Sequence, residues 1–496
     1  MIRALCLLTC LFGLLRSAPV FSQGALPNYE VGACPEIVLW MAFLEVDLLS
    51  CGYLHVLEDR AAGEDSARLR LFVLRLAAQI QRDNPPVIYL AGGPGDAASA
   101  SLGDLLGSPL RTWNELILID QRGTGFSQPS LNCAENDEMT SEDSLATCRA
   151  RMLAAGINLA AYHTVASAQD VQDLLIALDL PVANIYGISY GTRLALTLAR
   201  DFPQRLRALI LDGVVPWQAQ SLTEQAANAN RAFEQLFVDC AASPNCSAAY
   251  PDLRDRFDRV IDRLSQEPAL VIHLPTGEAT WMDGEAWVNS VFELLYDTSL
   301  IPWLPAMISA HAAGEYDFQA PAAPPQPASL AGAEPVRPLL PGYAYDIDGH
   351  SEGMHYSVIC TETAPFADTA DLIATGEQLP PRIDAALTKA AMQIVDDCRV
   401  WDVPAAAANA KRPILSEIPT LLLSGAYDPI TPPAWADAAA QYLSASWHFV
   451  LPAAGHGALS NSDCAASLAQ AFLRQPTVEP AADCLAALRP PDFHHR

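Results

Sequence analysis

Short runs of leucine, isoleucine and valine, each closed by a turn signal, recur along the first half of the chain and again near its C-terminal end. Leu69–Leu76, Pro86–Leu90, Glu115–Ile119, Ile185–Gly187, Leu206–Leu211, Thr420–Leu423 and Trp447–Leu451 read as strands. The later runs are apolar on both faces and alternate with helical patterns, as in a parallel sheet covered on both sides. The spacing predicts a helix over Ala168–Leu178, with Ser167 as its N-cap and Asp170 completing a capping-box-like pattern. A second helix is expected over Gly191–Asp201.

The rhythm changes after Asp212-Gly213. From about Pro216 to Pro404 apolar positions recur at helical spacing, as in Ala226–Val238 and Leu253–Leu264. Inside this region Ala320–Pro341 is rich in Pro and Ala, lacks the apolar bulk to pack, and reads as an extended loop. The expected fold is α/β: a mostly parallel sheet with helices on both faces, interrupted by a large, mainly helical inserted cap. The implied segments are a leader at 1–22, the first part of the sheet domain at 23–215, the cap at 216–404 with its Pro-rich loop at 320–341, and the second part at 405–496.

Composition narrows the function. With 57 acidic against 29 basic residues the formal net charge is −28, which repels phosphate backbones and argues against nucleic-acid binding. Arg3, the apolar run Ala4–Leu15 and the small-residue exit Ser17–Ser22 have the form of a secretory signal, with cleavage expected near Ser22. The run is shorter than the roughly 20 apolar residues that span a bilayer, so stable membrane insertion is not expected. Cys6 and Cys10 fall inside the leader. The other ten cysteines suggest disulfides between sequence neighbours: Cys34 with Cys51, Cys133 with Cys148, Cys240 with Cys246, Cys360 with Cys398, and Cys464 with Cys484. Cys51 and His55 are a close Cys/His pair, but no second pair completes a zinc site and no metal is expected.

Gly187-Ile188-Ser189-Tyr190-Gly191 is a G-x-S-x-G between a predicted strand and a predicted helix, where a sharp turn exposes a serine hydroxyl. Ser189 is therefore the candidate nucleophile. Such a serine needs a base and an orienting acid further along the chain. Asp428 follows the Thr420 strand and His456 follows the Trp447 strand, which puts both on loops at the same sheet edge. Asp212, at the end of the strand after Ser189, is the alternative acid. Ala91-Gly92-Gly93-Pro94-Gly95 follows another strand and suits an oxyanion hole built from the amides of Gly93 and Tyr190. His350-Ser351-Glu352-Gly353-Met354-His355 lacks metal-ligand spacing and reads as a surface loop; His494 and His495 sit in a polar tail. In Asp120–Gly125 the roles expected of Asp120 and Arg122 are to brace loops, since no nucleotide-binding pattern is present.

Together GGPG at 92–95, DQRGTG at 120–125, GISYG at 187–191, the Asp428 turn and GHG at 455–457 resemble the prolyl iminopeptidase and tripeptidyl aminopeptidase family of α/β-hydrolase serine peptidases. The C-terminal Cys464–Cys484 segment and Cys360-Thr361-Glu362 resemble its tripeptidyl-aminopeptidase-like, commonly exported branch. The resemblance implies an acyl-enzyme route on Ser189, Asp428 and His456, peptide substrates and no cofactor. It also implies a carboxylate near the cap that holds the substrate α-amine, for which Glu362 is the candidate. A carboxylesterase or lipase using the same residues is the alternative, because fold and triad do not choose the leaving group. A non-catalytic binding protein on the same scaffold is a third class.

Overall fold

The computed structural model describes residues 26–42, 45–133, 141–272, 279–316 and 349–494. The expected leader at 1–22, the Pro-rich stretch 320–341 and His495 lie outside the described residues. The strands in chain order are β1 (Asn28–Gly32), β2 (Leu49–Leu57), β3 (Arg68–Leu76), β4 (Val87–Leu90), β5 (Leu116–Ile119), β6 (Ala183–Ile188), β7 (Leu206–Asp212), β8 (Ala269–Ile272), β9 (Ala279–Met282), β10 (Thr420–Gly425) and β11 (Ser446–Leu451). One nine-stranded sheet has the order β1-β2-β3-β5-β4-β6-β7-β10-β11. Pairings are antiparallel from β1 to β5 and parallel from β5 to β11.

The two-sided apolar runs occupy the middle of this sheet because successive residues face opposite layers. Ile88, Ile185, Leu209 and Leu422 pack with Leu174 of helix Thr164–Ala177 and with Leu194 and Leu198 of helix Tyr190–Asp201. Their neighbours Tyr89, Tyr186, Ile210 and Leu423 point the other way, onto Leu468 and Phe472 of helix Asp463–Arg474. Burying each such aliphatic or aromatic side chain contributes about 1.5–3 kcal/mol, which pins the register of the central strands.

Two features depart from the hydropathy reading. β1 and β2 extend the antiparallel edge, where the segments NYEVG and LSCGYLHVL mix exposed and buried positions. The helix expected from Ala168 begins at Thr164, because the His163 side chain caps it by accepting from the Ala166 amide at 3.3 Å. Ser167 therefore lies inside the first turn. A histidine cap falls outside the usual Ser/Thr/Asp/Asn signature.

Between β7 and β10 the chain forms helices Ser221–Ala242, Leu253–Gln266, Gly284–Leu294, Leu304–Ala313, Glu352–Glu362 and Pro381–Trp401, with β8 and β9 as a separate antiparallel pair. This region has its own core, in which Phe257 lies 5.4 Å from Phe233 and 4.8 Å from Trp287 between ring centroids. Arg231 on the first of these helices donates to the carbonyls of Ala426 and Asp428 and so ties the cap to the loop after β10. Among the described residues no helix is long and apolar enough to cross a membrane.

Five disulfides join Cys34–Cys51, Cys133–Cys148, Cys240–Cys246, Cys360–Cys398 and Cys464–Cys484. Cys360–Cys398 staples helix Glu352–Glu362 to helix Pro381–Trp401. Replacing both of its cysteines by serine is expected to cost about 2–4 kcal/mol, by freeing the unfolded chain. The check is a lower urea midpoint; an unchanged midpoint contradicts the stapling role.

Candidate active site

β6 ends and helix Tyr190–Asp201 begins at Ser189, whose backbone has φ 54° and ψ −126°. A non-glycine residue held there costs about 1–3 kcal/mol, so its surroundings must impose it. The Ser189 amide donates to the Asp212 carbonyl at 2.8 Å, and the Ser189 carbonyl accepts from Thr192 Oγ1 at 2.6 Å. A Cβ on Gly191 would lie 2.1 Å from the Leu90 carbonyl oxygen, so only glycine lets the helix come this close to β4. After β4 the chain passes against the serine: a Cβ on Gly92 would lie 3.0 Å from Ser189 Cβ. The Gly92-Gly93 backbone is thereby laid beside the hydroxyl. Tyr190 is the first helical residue, so its amide is among the N-terminal donors with no acceptor inside the helix.

β10 and β11 run parallel to β7, so the loops after them open on the same edge as Ser189. Asp428 is fully buried; its Oδ1 accepts from the amides of Ile430 and Thr431 at 2.9 and 2.8 Å. Its Oδ2 lies 2.8 Å from His456 Nδ1 and accepts from Thr431 Oγ1 at 2.5 Å. With Nδ1–H donating to the carboxylate, Nε2 is the free acceptor of the imidazole. Burial lowers the His456 pKa, but the charge and hydrogen bond of Asp428, with Asp212 and Asp96 behind them, outweigh it and hold the group above its ordinary 6.5.

The cap grips this loop directly. The His456 amide donates to the Tyr296 carbonyl at 3.1 Å, the Gly455 amide to Thr298 Oγ1 at 3.0 Å, and the Tyr296 ring stands edge-on to the imidazole at 5.0 Å. Asp212 holds it from below: its oxygens accept from the amides of Ala458 and Leu459, each at 2.8 Å. Burial pushes the Asp212 carboxyl up to about 6, and those two amides oppose the shift. Of the two candidate acids, Asp428 is the one brought to His456 Nδ1.

Ser189, His456, Gly93 and Tyr190 all line one cavity of about 760 Å³. Phe292, Tyr296, Ile359, Ile394 and Trp435 supply apolar wall, and Asp96, Asp104 and Glu293 supply acidic groups. Glu362 is not among its lining residues, which corrects the expectation that it faces a substrate amine. It is 1% exposed, with its two oxygens accepting from the amide and the hydroxyl of Thr164 at 2.7 and 2.6 Å. Glu293 on helix Gly284–Leu294 is the cap carboxylate that reaches the cavity, and burial raises its pKa.

The 350–355 segment is also more than the expected surface loop. His350 Nδ1 pairs with Asp96 Oδ1 at 2.7 Å, His355 Nδ1 meets the Pro94 carbonyl at 3.0 Å, and the Ser351 amide donates to Gly95 O at 2.9 Å. The segment therefore braces the glycine-rich loop beside Ser189. Burial, with the His350 charge beside it, pushes His355 down to about 4. Arg122 and Asp120 do brace loops: Arg122 holds Asp170 at 2.7 and 2.8 Å, and Asp120 accepts from the amides of Ser99 and Phe126 at 2.8 and 3.0 Å. His494 packs on Trp303, ring centroids 4.1 Å apart, far in role from any ligand set. Among the described residues no group of His, Cys, Asp and Glu is arranged to hold a metal ion. Thr431, Tyr296 and Glu293 carried no sequence motif and became visible only through the contacts above.

A serine on a strained strand-to-helix turn, with a His–Asp pair returning from later strands of the same parallel sheet, defines an α/β hydrolase. A family model described as "alpha/beta hydrolase fold" matches residues 85–247, and one described as "TAP-like protein" matches residues 384–484. The chain thus has the α/β-hydrolase fold, and it resembles proteins that carry peptidase names. It is 31% identical over 216 residues to the serine protease Hip1 of Mycobacterium tuberculosis, a match covering 38% of this chain and 40% of that protein. It is 28% identical over 132 residues to the proline iminopeptidase of Neisseria gonorrhoeae, covering 27% of this chain and 33% of that one. The match thus spans less than half the length of either of these two curated relatives.

The hydrogen-bond pattern makes a direct test. Because Asp428 stabilises the protonated imidazole, His456 is expected to titrate above 6.5, and Asp428→Asn is expected to bring its midpoint down as burial takes over. Asp212→Asn, which removes a more distant charge, is expected to move it less. NMR of selectively labelled histidine reads both. A midpoint that follows Asp212 and ignores Asp428 contradicts the geometry.

Proposed function

We propose that the chain is an exported serine aminopeptidase, releasing one or a few residues from peptide N-termini through an acyl-enzyme on Ser189. The observation that carries this reading is the hydrogen-bonded His456–Asp428 pair opening on the same cavity as the strained Ser189 turn. In the proposed reaction His456 Nε2 takes the Ser189 hydroxyl proton as Oγ bonds to the scissile carbonyl carbon. The amides of Gly93 and Tyr190 donate to the oxygen that becomes negative; losing one such donor typically costs about 10²–10³ in rate. The C–N bond then breaks, and His456 returns the proton to the leaving amine. Water, deprotonated by His456, attacks the acyl carbon; the acyl–Oγ bond then breaks as His456 returns that proton to Ser189 Oγ, releasing the acid and restoring the enzyme.

Exopeptidase action needs the free α-ammonium to be held at one end of the cavity. Glu293 takes the role first expected of Glu362, because it combines a place on the cap with access to the same space as Ser189. The names of these relatives, serine protease and proline iminopeptidase, support a peptide substrate over an ester. Export is supported by the five disulfides, which persist in oxidising compartments.

Aminoacyl and tripeptidyl anilides with free and acetylated N-termini test the reading beside short p-nitrophenyl esters. Acetylation is expected to lower kcat/KM by about 10- to 100-fold, the worth of a hydrogen bond to a charged group, and Glu293→Gln to lower it similarly on the free-amine substrates. Equal cleavage of blocked and free peptides, or turnover of esters alone, contradicts it.

A further inference from the structure

Arg193 lies one turn beyond Ser189 on helix Tyr190–Asp201, is 2% exposed, and lines the same cavity. A guanidinium stays charged in a protein and presents five N–H donors, so a buried one is costly unless those donors are used. Arg193 uses few. Its Nη1 donates to Thr363 Oγ1 at 3.4 Å and stands 3.8 Å from Glu362 Oε2, too far for a hydrogen bond. Glu362 balances the Arg193 charge as an ion pair at that distance while each of its oxygens accepts a hydrogen bond from Thr164. The Trp217 ring covers the guanidinium carbon at 5.2 Å, which gives contact but no acceptor. Nε and Nη2 are buried with no hydrogen-bond partner.

The pair left over is chemically specific. Nε and Nη2 form the edge of a guanidinium that grips a carboxylate with two parallel bonds. This protein uses that edge elsewhere: Arg75 meets Glu115 through Nε and Nη2 at 2.7 and 3.0 Å, and Arg122 meets Asp170 through the same atoms at 2.7 and 2.8 Å. Arg122, equally buried, is fully engaged and does not line the cavity. Arg193 is among the residues lining it, and its carboxylate-binding edge, shielded from bulk solvent, is the part without a hydrogen-bond partner, so a carboxylate reaches it through a shift of the cavity wall.

We propose that Arg193 receives a carboxylate of the substrate, so that the site selects peptides with an acidic group within reach of Ser189. The proposal rests on the reading of this cavity as a peptide site. It makes the cavity dipolar, with Glu293 and Asp104 for an ammonium and Arg193 for an anion. An acidic side chain and a free C-terminal carboxylate offer the same chemistry, and substrates tell them apart.

The first pair of substrates is Ala-Ala-Glu-anilide against Ala-Ala-Gln-anilide, which differ in the side chain alone. The second is one short peptide as free acid and as C-terminal amide. The wild-type protein is expected to favour the acid by about 10- to 100-fold in kcat/KM in one pair, and that pair names the source. In Arg193→Gln the ratio is expected to fall to near unity; being internal to each variant, it does not depend on how much enzyme is active. Equal rates within both pairs for wild type, or a preference that survives Arg193→Gln, overturns the proposal. The wild-type comparison decides alone if the variant does not fold. If no peptide is cleaved, the peptide reading fails, and p-nitrophenyl hemisuccinate against p-nitrophenyl butyrate asks the same of Arg193: preference for the hemisuccinate sustains the carboxylate site, and indifference overturns it.

Discussion

Helix Tyr190–Asp201 passes so close to β4 and β6 that there is no room for a β-carbon where they cross. A side chain on Gly187 would lie 2.4 Å from the Gly191 carbonyl, and one on Gly191 would lie 2.1 Å from that of Leu90. The chain must leave β6 and enter the helix within one residue, and Ser189 absorbs the turn at φ 54°. The strain is sustained by the packing of Leu194 and Leu198 on Ile88 and Ile185, so the core of the sheet sets the exposure of one hydroxyl. The same closeness brings Gly92 against Ser189, and Tyr190, the first helical residue, lines the cavity.

Around that turn, buried carboxylates position the loops. Asp120 gathers the amides of Ser99 and Phe126, Asp212 those of Ala458 and Leu459, and Asp428 those of Ile430 and Thr431. A carboxylate taken out of water is tolerated when its lone pairs are filled, and backbone amides fill them while locking the loop that carries them. Asp428 alone of the three adds an imidazole to its set. The cap completes the arrangement from above through Tyr296, Thr298 and Arg231.

Much of this was legible in the residues because it is local. Apolar runs marked the central strands, and G-x-S-x-G between a strand and a helix marked the turn. The order of Asp428 and His456 on strand-end loops marked a shared sheet edge. What stayed hidden depends on long-range contact. Asp212 ends a strand and Asp428 follows one, and only the path of the 456–459 loop separates a loop anchor from a partner of the imidazole. Glu362 sat beside a cysteine near the cap, yet its orientation follows from Thr164, distant in sequence. β1 and β2 escaped notice because an edge strand need not show a continuous apolar face.

The central claim is that the strain and close packing at Ser189 make its hydroxyl the one reacting group of the cavity. Treatment of the purified protein with a fluorophosphonate, followed by intact mass and peptide mapping, tests it most directly. The account predicts a single adduct on Ser189 and none in Ser189→Ala. Full labelling of that variant, or an adduct on another residue of the wild-type protein, would contradict it.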